Sequence, residues 1–207
     1  MGGRHEITTL QDLEAIYGVP PSPQALLKEV GELTPEYRAW IEASPFVVLA
    51  SSGAEGLDCT PRGDLADICK VIDERTLLLP DRPGNNRIDT LRNLIHDPRV
   101  ALLFFVPGRE EMIRVVGRAV ISTDPALIEL CRVDGKLPRS VLVISIGSVY
   151  FQCARALKRS QLWSRSQSAD RPALPSVGNI LQSISKGTFD GAAYDVELVE
   201  RMKKFLY

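Results

Sequence analysis

The chain has 207 residues, of which 44% are hydrophobic and 25% charged, and its 25 lysines and arginines almost balance its 26 aspartates and glutamates, for a net charge of -1. This composition excludes a disordered chain and a collagen-like repeat, and it leaves no overall field that would attract nucleic acid or an anionic membrane. The length fits one buried core with peripheral helices.

Residues 1–44 are predicted to form an N-terminal helical extension. Either Thr9 or Thr8 is a suitable N-cap for the first helix. Thr34 is a suitable N-cap for a later one with Pro35 at its first position, and a further helix is predicted over residues 24–32. No window approaches the roughly 20 apolar residues of a membrane-spanning helix, and the N-terminus carries no apolar signal segment. We therefore expect a cytoplasmic protein that does not bind a membrane.

Residues 45–165 carry short β-branched and aromatic runs separated by turn residues. The first is FVVLASSG, from residue 46, and the last is SVLVISIGSVYFQC, from residue 140, which is apolar on both faces and belongs in the middle of a sheet. Helices are predicted over residues 87–96 and after Asp124. Many short strands with few helices, and no regular βαβ alternation, predict a mainly β protein with peripheral helices, closed into a six-stranded antiparallel barrel. Residues 166–207 are expected to form a loop and helices that pack on the barrel.

The loop PDRPGNNR, residues 80–87, is a candidate anion site. Its last residue, Arg87, opens the predicted helix, and the unpaired N–H groups of a helix N-terminus attract anions. The Arg87 guanidinium can add a bidentate pair of donors. In the simpler alternative, Asn85 or Asn86 caps the helix and Arg87 is a solvated side chain.

Other basic residues extend this candidate site. Strand alternation in DCTPRGD puts Arg62 on one face with Asp58 and Thr60, while Arg114 lies on a later strand. Trp163 ends a basic segment and is a residue suited to covering a ring system. The alternative for each arginine is an exposed charge on a sheet face, and for Trp163 an ordinary core position.

The sequence lacks the residues that several other kinds of functional site require. With only His5 and His96 present, the sequence argues against a metal centre, a histidine-dependent triad and a histidine-ligated haem. No Walker A loop and no GxGxxG turn is present. The four cysteines show no metal-ligand spacing, and we expect them to be buried, reduced thiols. The basic stretch from residue 159 to 172 is interpreted as a surface loop and not as a nucleic-acid site.

The order of the segments TPRGD, LLLPDRPGNNR, IRVVGRAVI and CARALKRSQLW resembles that of the pyridoxamine 5'-phosphate oxidase-like family, and within it a subgroup of FMN-dependent enzymes. The resemblance covers residues 45–165. It implies a split β-barrel of the FMN-binding type that holds FMN non-covalently at the interface of a homodimer.

The resemblance also implies which residues bind the cofactor. By position, Arg62, Asn86 and Arg87 match the family's phosphate ligands, and the backbone at Leu79 and Pro80 lies along the isoalloxazine edge. Trp163 resembles a tryptophan contributed by the partner subunit. The complete set of candidate cofactor-binding residues is Arg62, Leu79, Pro80, Asn86, Arg87, Arg114, Gln152, Lys158, Arg159 and Trp163.

The chain departs from the family's oxidases at three points. A lysine expected shortly after Arg62 appears only at Lys70, Met112 or Ile113 replaces an expected glutamine, and the C-terminal arginine-histidine signature is not evident. We therefore expect an FMN-binding oxidoreductase for an unidentified small molecule, with hydride transfer at flavin N5 and no assigned catalytic residue. The alternatives are a non-catalytic flavin-binding or sensing module, or a split barrel that binds haem or a deazaflavin.

Overall fold

A computed structural model describes residues 5–18, 20–54, 56–65, 68–166 and 173–205, so the ends of the predicted N-terminal extension and C-terminal segment lie outside the described residues. Three helices precede the first strand: α1 Leu10–Tyr17, α2 Pro23–Leu27 and α3 Pro35–Glu42. Thr9 and Thr34 cap α1 and α3 as predicted. The predicted helix over 24–32 is too long, because Val30 leaves the helix to exchange two backbone hydrogen bonds with Val149.

The structure contains one antiparallel sheet of seven strands, arranged in the order β2-β1-β5-β6-β7-β4-β3. The strands are β1 Phe46–Gly53, β2 Gly56–Gly63, β3 Lys70–Asp73, β4 Thr76–Asp81, β5 Arg99–Phe105, β6 Met112–Ser122 and β7 Ser140–Gln152. The prediction of a mainly antiparallel β fold is confirmed, and the count of six strands is wrong. The tight turn after Asp73 lets the four-residue β3 pair with β4 as a strand of its own.

The sheet is strongly curved. Five strand spacings, or roughly 24 Å in a flat sheet, separate β2 from β4 in the strand order. Yet Arg62, near the end of β2, lies 3.5 Å from Asp81 at the end of β4, and Asp64 lies 2.9 Å from Arg82. The curvature therefore brings the β2 edge against β4, where ion pairs join the two strands.

The two faces of the sheet differ in burial. Val47, Phe104 and Ile113 stand side by side on β1, β5 and β6, and each is at most 1% exposed. We call the opposite side of β2, β1, β5 and β6 the outer face. Met112 on this face is buried, and its other apolar residues are partly or fully exposed: Phe46, Val48, Ala50, Leu57, Cys59, Pro61, Ala101, Leu103, Phe105 and Val116.

Six further helices are described: α4 Asp89–His96, α5 Pro125–Leu130, α6 Arg155–Ser160, α7 Leu162–Ser166, α8 Val177–Ile184 and α9 Gly191–Phe205. Helices α8 and α9 pack against each other at Gly178 and Gly191, where a Cβ on either glycine would collide with the other's backbone. Within the described ranges, no helix is long and apolar enough to cross a membrane.

The cysteines do not share one environment. Cys69 and Cys131 are buried, and burial raises the pKa of the Cys69 thiol far above its ordinary value, so that this thiol stays protonated. Cys59 and Cys153 are exposed. The prediction of four buried thiols is therefore wrong for these two, because Cys59 lies on the outer face of an edge strand and Cys153 follows the end of β7.

Gly117 occupies a β-bulge whose backbone leaves no room for a side chain. The register between β6 and β7 shifts after Val116, and a Cβ on Gly117 would collide with the carbonyl oxygen of Ser145. We expect Gly117→Ala to lower the free energy of unfolding by about 1–3 kcal/mol, the usual cost of overpacking, measured by urea denaturation. In the control Gly31→Ala, the added Cβ meets only Gly147, at 3.8 Å. Equal stability of the two variants would contradict this account of the bulge.

Candidate functional site

A polar pocket of about 280 Å³, the arginine pocket, lies between β2, the end of β4 and the start of α4. It is lined by residues 81–91, by Arg139, and by Asp58, Cys59, Thr60 and Arg62 of β2. Four of these residues are arginines, Arg62, Arg82, Arg87 and Arg139, against the three aspartates Asp58, Asp81 and Asp89. Guanidinium groups in this number favour an anion that can accept several hydrogen bonds, such as a phosphate.

Strand β2 brings polar residues to the pocket because every second side chain lies on the same face of the strand. Asp58, Thr60 and Arg62 are partly buried on one face of β2, as predicted, while the residues between them are exposed. The hydroxyl of Thr90, in the first turn of α4, donates a short hydrogen bond to the carboxylate of Asp58. The β2 strand and the helix are thus fixed to each other at the wall of the pocket.

The loop before α4 has an unusual backbone. Asn86 and Ile88 adopt left-handed conformations, with φ of 61° and 54°. For a β-branched residue such as Ile88 this geometry costs of the order of 1–3 kcal/mol, and strain of this kind gathers at functional sites. The observed loop therefore supports a binding role for this segment.

The N-terminus of α4 has no side-chain cap. The N-cap residue is Ile88, whose side chain cannot accept a hydrogen bond, and the side-chain oxygen of Asn85 accepts from the Arg87 N–H instead, at 3.1 Å. The alternative in which Asn85 or Asn86 caps the helix is therefore wrong, and the helix begins at Asp89 and not at Arg87. Its first-turn residues line the pocket and leave their N–H groups available to an anion.

The arginines are oriented by partners of different burial. Arg62 pairs with Asp81 and is 29% exposed, whereas Arg87 pairs with Asp89 at 2.8 Å and is 74% exposed. The Asp89 carboxylate raises the pKa of Arg87, which stays charged. Arg139 donates to the side-chain oxygen of Asn86 at 3.3 Å. Arg62 is thus the better shielded of the two arginines predicted to bind phosphate, so its interactions should be the stronger.

Asp81 is one of the three carboxylates that line the arginine pocket. Burial raises the pKa of its carboxyl above the ordinary value, and the nearby Arg62 and Arg139 only partly offset this. The folded protein therefore holds the Asp81 proton more tightly than the unfolded chain does. The resulting stabilisation is complete below the unfolded pKa near 3.8 and is lost as pH rises through the raised folded value.

Replacing this carboxyl should change the pH dependence of stability. We expect the stability of Asp81→Asn, relative to the wild-type protein, to increase as pH rises from about 4 to about 7, because the variant has no carboxylate to desolvate. Denaturant unfolding at each pH measures this difference. For the control Asp97→Asn, the stability relative to the wild-type protein should instead decrease as pH rises towards about 4, since Arg99 lowers the pKa of Asp97 to about 2. If the relative stabilities of both variants changed with pH in the same direction, burial could not be the cause of the raised Asp81 pKa.

Leu79 and Pro80 are predicted to contribute to the site through their backbone. Both side chains are buried, and the strand pairs with Leu142 and Val141 of β7. On its other side β4 pairs with β3 only as far as Leu78. Among the described residues, the edge at Leu79 and Pro80 therefore has no strand partner, but both residues are buried and neither lines the arginine pocket, so their contact with a cofactor stays a prediction.

The remaining candidates form a separate group, which we call the distal group: Arg114, Gln152, Lys158, Arg159 and Trp163. Four strand spacings, roughly 19 Å along the sheet, separate Arg62 from Phe151, the neighbour of Gln152. The structure brings none of these residues into the arginine pocket of the same chain.

Local contacts hold the distal group near the start of β6. Arg114 donates to the Tyr150 hydroxyl at 3.1 Å, and the Lys158 ammonium lies 3.0 Å from Glu110. The Trp163 indole N–H donates to the carbonyl of Arg109 at 2.6 Å. Arg159 is exposed on α6. The group thus has a defined shape even though it lies apart from the pocket.

Two pocket arginines were missed by sequence reasoning. Arg82 stands inside the loop already singled out, so its proximity to Arg87 was an available signal. Arg139 comes from the segment before β7 and reaches the pocket only because Asp81 pairs with Ser140. No local pattern marks a residue placed in this way.

Comparison with known proteins gives one family match. The family model described as pyridoxamine 5'-phosphate oxidase matches residues 33–153. No curated protein matches the chain.

Several solved structures resemble the fold. HupZ of Group A Streptococcus is 19% identical, with a TM-score of 0.48 over 56% of this chain and 91% of that one. General Stress Protein 26 of Bacillus anthracis is 17% identical, with a TM-score of 0.43 over 55% and 88%. A FAD-binding protein of Mesorhizobium loti is 18% identical, with a TM-score of 0.43 over 58% and 93%. At these values the likeness says nothing about ligand or activity.

Proposed function

Because the chain belongs to the pyridoxamine 5'-phosphate oxidase family, we propose that it is an oxidoreductase that binds FMN non-covalently and acts on a small molecule. The observation that carries the proposal is the convergence of Arg62, Arg82, Arg87 and Arg139 on one pocket beside the uncapped N-terminus of α4. A phosphate dianion matches these donors in both charge and hydrogen-bonding capacity.

The pocket fits the phosphate end of the cofactor better than its ring. The pocket is small, about 280 Å³, and polar, and guanidinium groups form much of its wall. The ring of the flavin would therefore lie outside this pocket. Arg62 and Arg87 would bind and orient the phosphate, and Asn86 would hold Arg139 towards it. The bound flavin supplies hydride chemistry at N5, which requires no acid or base from the chain.

We also propose that the curved sheet is a split barrel that works as a homodimer. The outer face supports this proposal, because it presents a contiguous set of apolar side chains across four strands, with Phe46 and Val116 39% and 40% exposed. An uncovered apolar sheet face of this kind is typical of a subunit interface. A second copy of the chain would bury it symmetrically.

Dimerisation would also give the distal group a role. Arg62 lies on the sheet face that includes Val47, whereas Arg114 stands in register with Leu103 on the opposite, outer face. Residues separated in this way within one chain can contribute to one site when two copies meet. In the proposed dimer, Trp163 would approach the flavin held by the other copy.

The first test is the absorbance spectrum of the purified protein. We expect the spectrum of oxidised flavin and release of FMN on denaturation, because the arginine pocket retains the phosphate. A colourless protein that ignores added FMN would contradict the proposal, and the spectrum of haem or a deazaflavin would replace the cofactor. Reduction by NADH or NADPH followed by reoxidation would support turnover, whereas an inert bound flavin would favour a non-catalytic binding module.

A further inference from the structure

Arg82 is better shielded from water than Arg62 and Arg87. Its side chain is 17% exposed, against 29% for Arg62 and 74% for Arg87. Water therefore screens the charge of Arg82 less than it screens the other two, so Arg82 can interact strongly with an anion in the pocket. Arg82 stands in the loop that follows β4, and it lines the arginine pocket together with the segment that leads to α4.

Two acceptors hold the Arg82 guanidinium at different points. Its Nε–H donates to the carboxylate of Asp64 at 2.9 Å, and a terminal nitrogen, Nη2, donates to the backbone carbonyl of Cys131 at 3.3 Å. Because a guanidinium is planar and rigid, two fixed points determine the direction in which its remaining edge faces. A lysine ammonium, which is a compact charge on a flexible stem, could not be oriented in this way.

Both acceptors belong to well-packed parts of the protein. The Asp64 side chain is 2% exposed, and the Asp64 backbone N–H donates to the carbonyl of Pro45 at 2.9 Å, just ahead of β1. Cys131 is buried at the end of α5 and packs in a small core with Leu78. The Arg82 side chain is therefore held by rigid supports before any ligand binds, and it loses little conformational freedom on binding.

The negative charge of Asp64 is unfavourable beside an anion site. It lowers the positive potential that the arginines create, and a buried ion pair adds little net stability because both charges lose their hydration. Asp64 itself does not line the arginine pocket, so it is not placed to accept a hydrogen bond from a ligand there. Neither attraction of an anion nor stability of the fold explains this carboxylate, whereas orientation of Arg82 does.

We propose that Asp64 is a positioning residue that holds Arg82 in the orientation in which Arg82 binds the cofactor phosphate. The inference rests on the proposed flavin binding, and it adds a phosphate ligand that neither the family resemblance nor the pattern of the loop assigned. Arg82 contacts the phosphate from the wall of the pocket, and Asp64 acts only through Arg82. The segments PRGD, residues 61–64, and PDR, residues 80–82, therefore work together, because the first supplies the carboxylate that orients the arginine of the second.

The test compares FMN with riboflavin, which has the same ring system but no phosphate, by fluorescence titration of the cofactor-free protein. We expect Asp64→Ala to weaken FMN binding about tenfold, because Arg82 loses its orientation and must be immobilised by the ligand. Riboflavin affinity should stay unchanged, since no phosphate meets Arg82. Because Asp64 acts through Arg82, Asp64→Ala should have no further effect on FMN affinity in an Arg82→Ala background.

Asp89→Ala is the matched control. Asp89 also pairs with a pocket arginine, at 2.8 Å, but that arginine, Arg87, is 74% exposed and is already surrounded by water. Loss of this carboxylate removes a negative charge from the pocket wall. FMN binding should therefore become tighter, by up to about fivefold for a pair at the surface. Asp64→Ala and Asp89→Ala should thus change FMN affinity in opposite directions, although each removes an aspartate that is paired with an arginine.

The outcomes separate this inference from the proposed function. A loss in Asp64→Ala that is confined to FMN and disappears in the Arg82→Ala background supports the inference. Equal losses for FMN and riboflavin, a loss that persists without Arg82, or FMN binding that is unchanged or tighter in Asp64→Ala overturns it and leaves flavin binding intact. A wild-type protein that binds no FMN overturns both.

Arg82→Lys decides the matter if far-UV circular dichroism shows that Asp64→Ala does not fold. This variant keeps the positive charge but loses the attachment at two points. A loss of affinity confined to FMN then supports the inference, and an unchanged FMN affinity overturns it.

Discussion

Arg62→Ala should weaken FMN binding about 100-fold, near the upper end of what a lost charge-assisted hydrogen bond costs. Arg62 is 29% exposed, so water screens its interaction with a phosphate only weakly. The substitution also leaves the Asp81 carboxylate without its ion-pair partner at 3.5 Å, and this negative charge then opposes the anion. Flavin fluorescence titration of the purified, cofactor-free variant measures the change.

Two further arginine variants provide comparisons for the loss of FMN affinity in Arg62→Ala. Arg87→Ala should weaken binding by only about tenfold, since its guanidinium is 74% exposed. Arg99→Ala is the matched control, because Arg99 is 72% exposed and pairs with Asp97 two residues away, as Arg87 does with Asp89. An equal loss in all three variants would mean that the arginine pocket has no special part in binding.

Phe104→Ala should remove about 3–5 kcal/mol of stability, the typical cost of emptying a buried phenylalanine site. Phe104 is 1% exposed and stands between Val47 and Ile113 at the centre of the sheet's inner face. The loss is a large part of the stability of a domain of this size. Urea denaturation monitored by far-UV circular dichroism measures it.

The neighbouring residue Phe105 provides the matched comparison. It lies on the outer face, where its ring packs edge to face against Phe46 with centroids 5.9 Å apart. Phe105→Ala should cost less than about 1.5 kcal/mol in the monomer, but it should weaken self-association in sedimentation experiments if the outer face is the subunit interface. A monomer–dimer equilibrium unchanged by Phe105→Ala would argue against that interface.

Local sequence signals predicted the parts of the structure that local physics controls. The caps at Thr9 and Thr34 follow from hydroxyl groups that bond to the first helical N–H groups. The face shared by Asp58, Thr60 and Arg62 follows from strand alternation. These features depend on residues within a few positions of each other, so a single sequence contains the necessary information.

Features that depend on distant pairing were not accessible in this way. Ile88 becomes the N-cap of α4 because the loop must lead from β4 to the helix, and no helix propensity favours that residue there. Arg139 joins the pocket through the register of β4 with β7.

The ion pairs that join β2 to β4 have a consequence for the edge of the sheet. An unpaired strand edge is a template for association with other chains, and proteins protect such edges with charges and prolines. The β2 edge is protected by Pro61 and by the Arg62–Asp81 ion pair, whose charged groups also face the pocket. An anion bound to Arg62, such as the proposed flavin phosphate, would therefore also shield this edge, and we expect the protein to aggregate more readily without it.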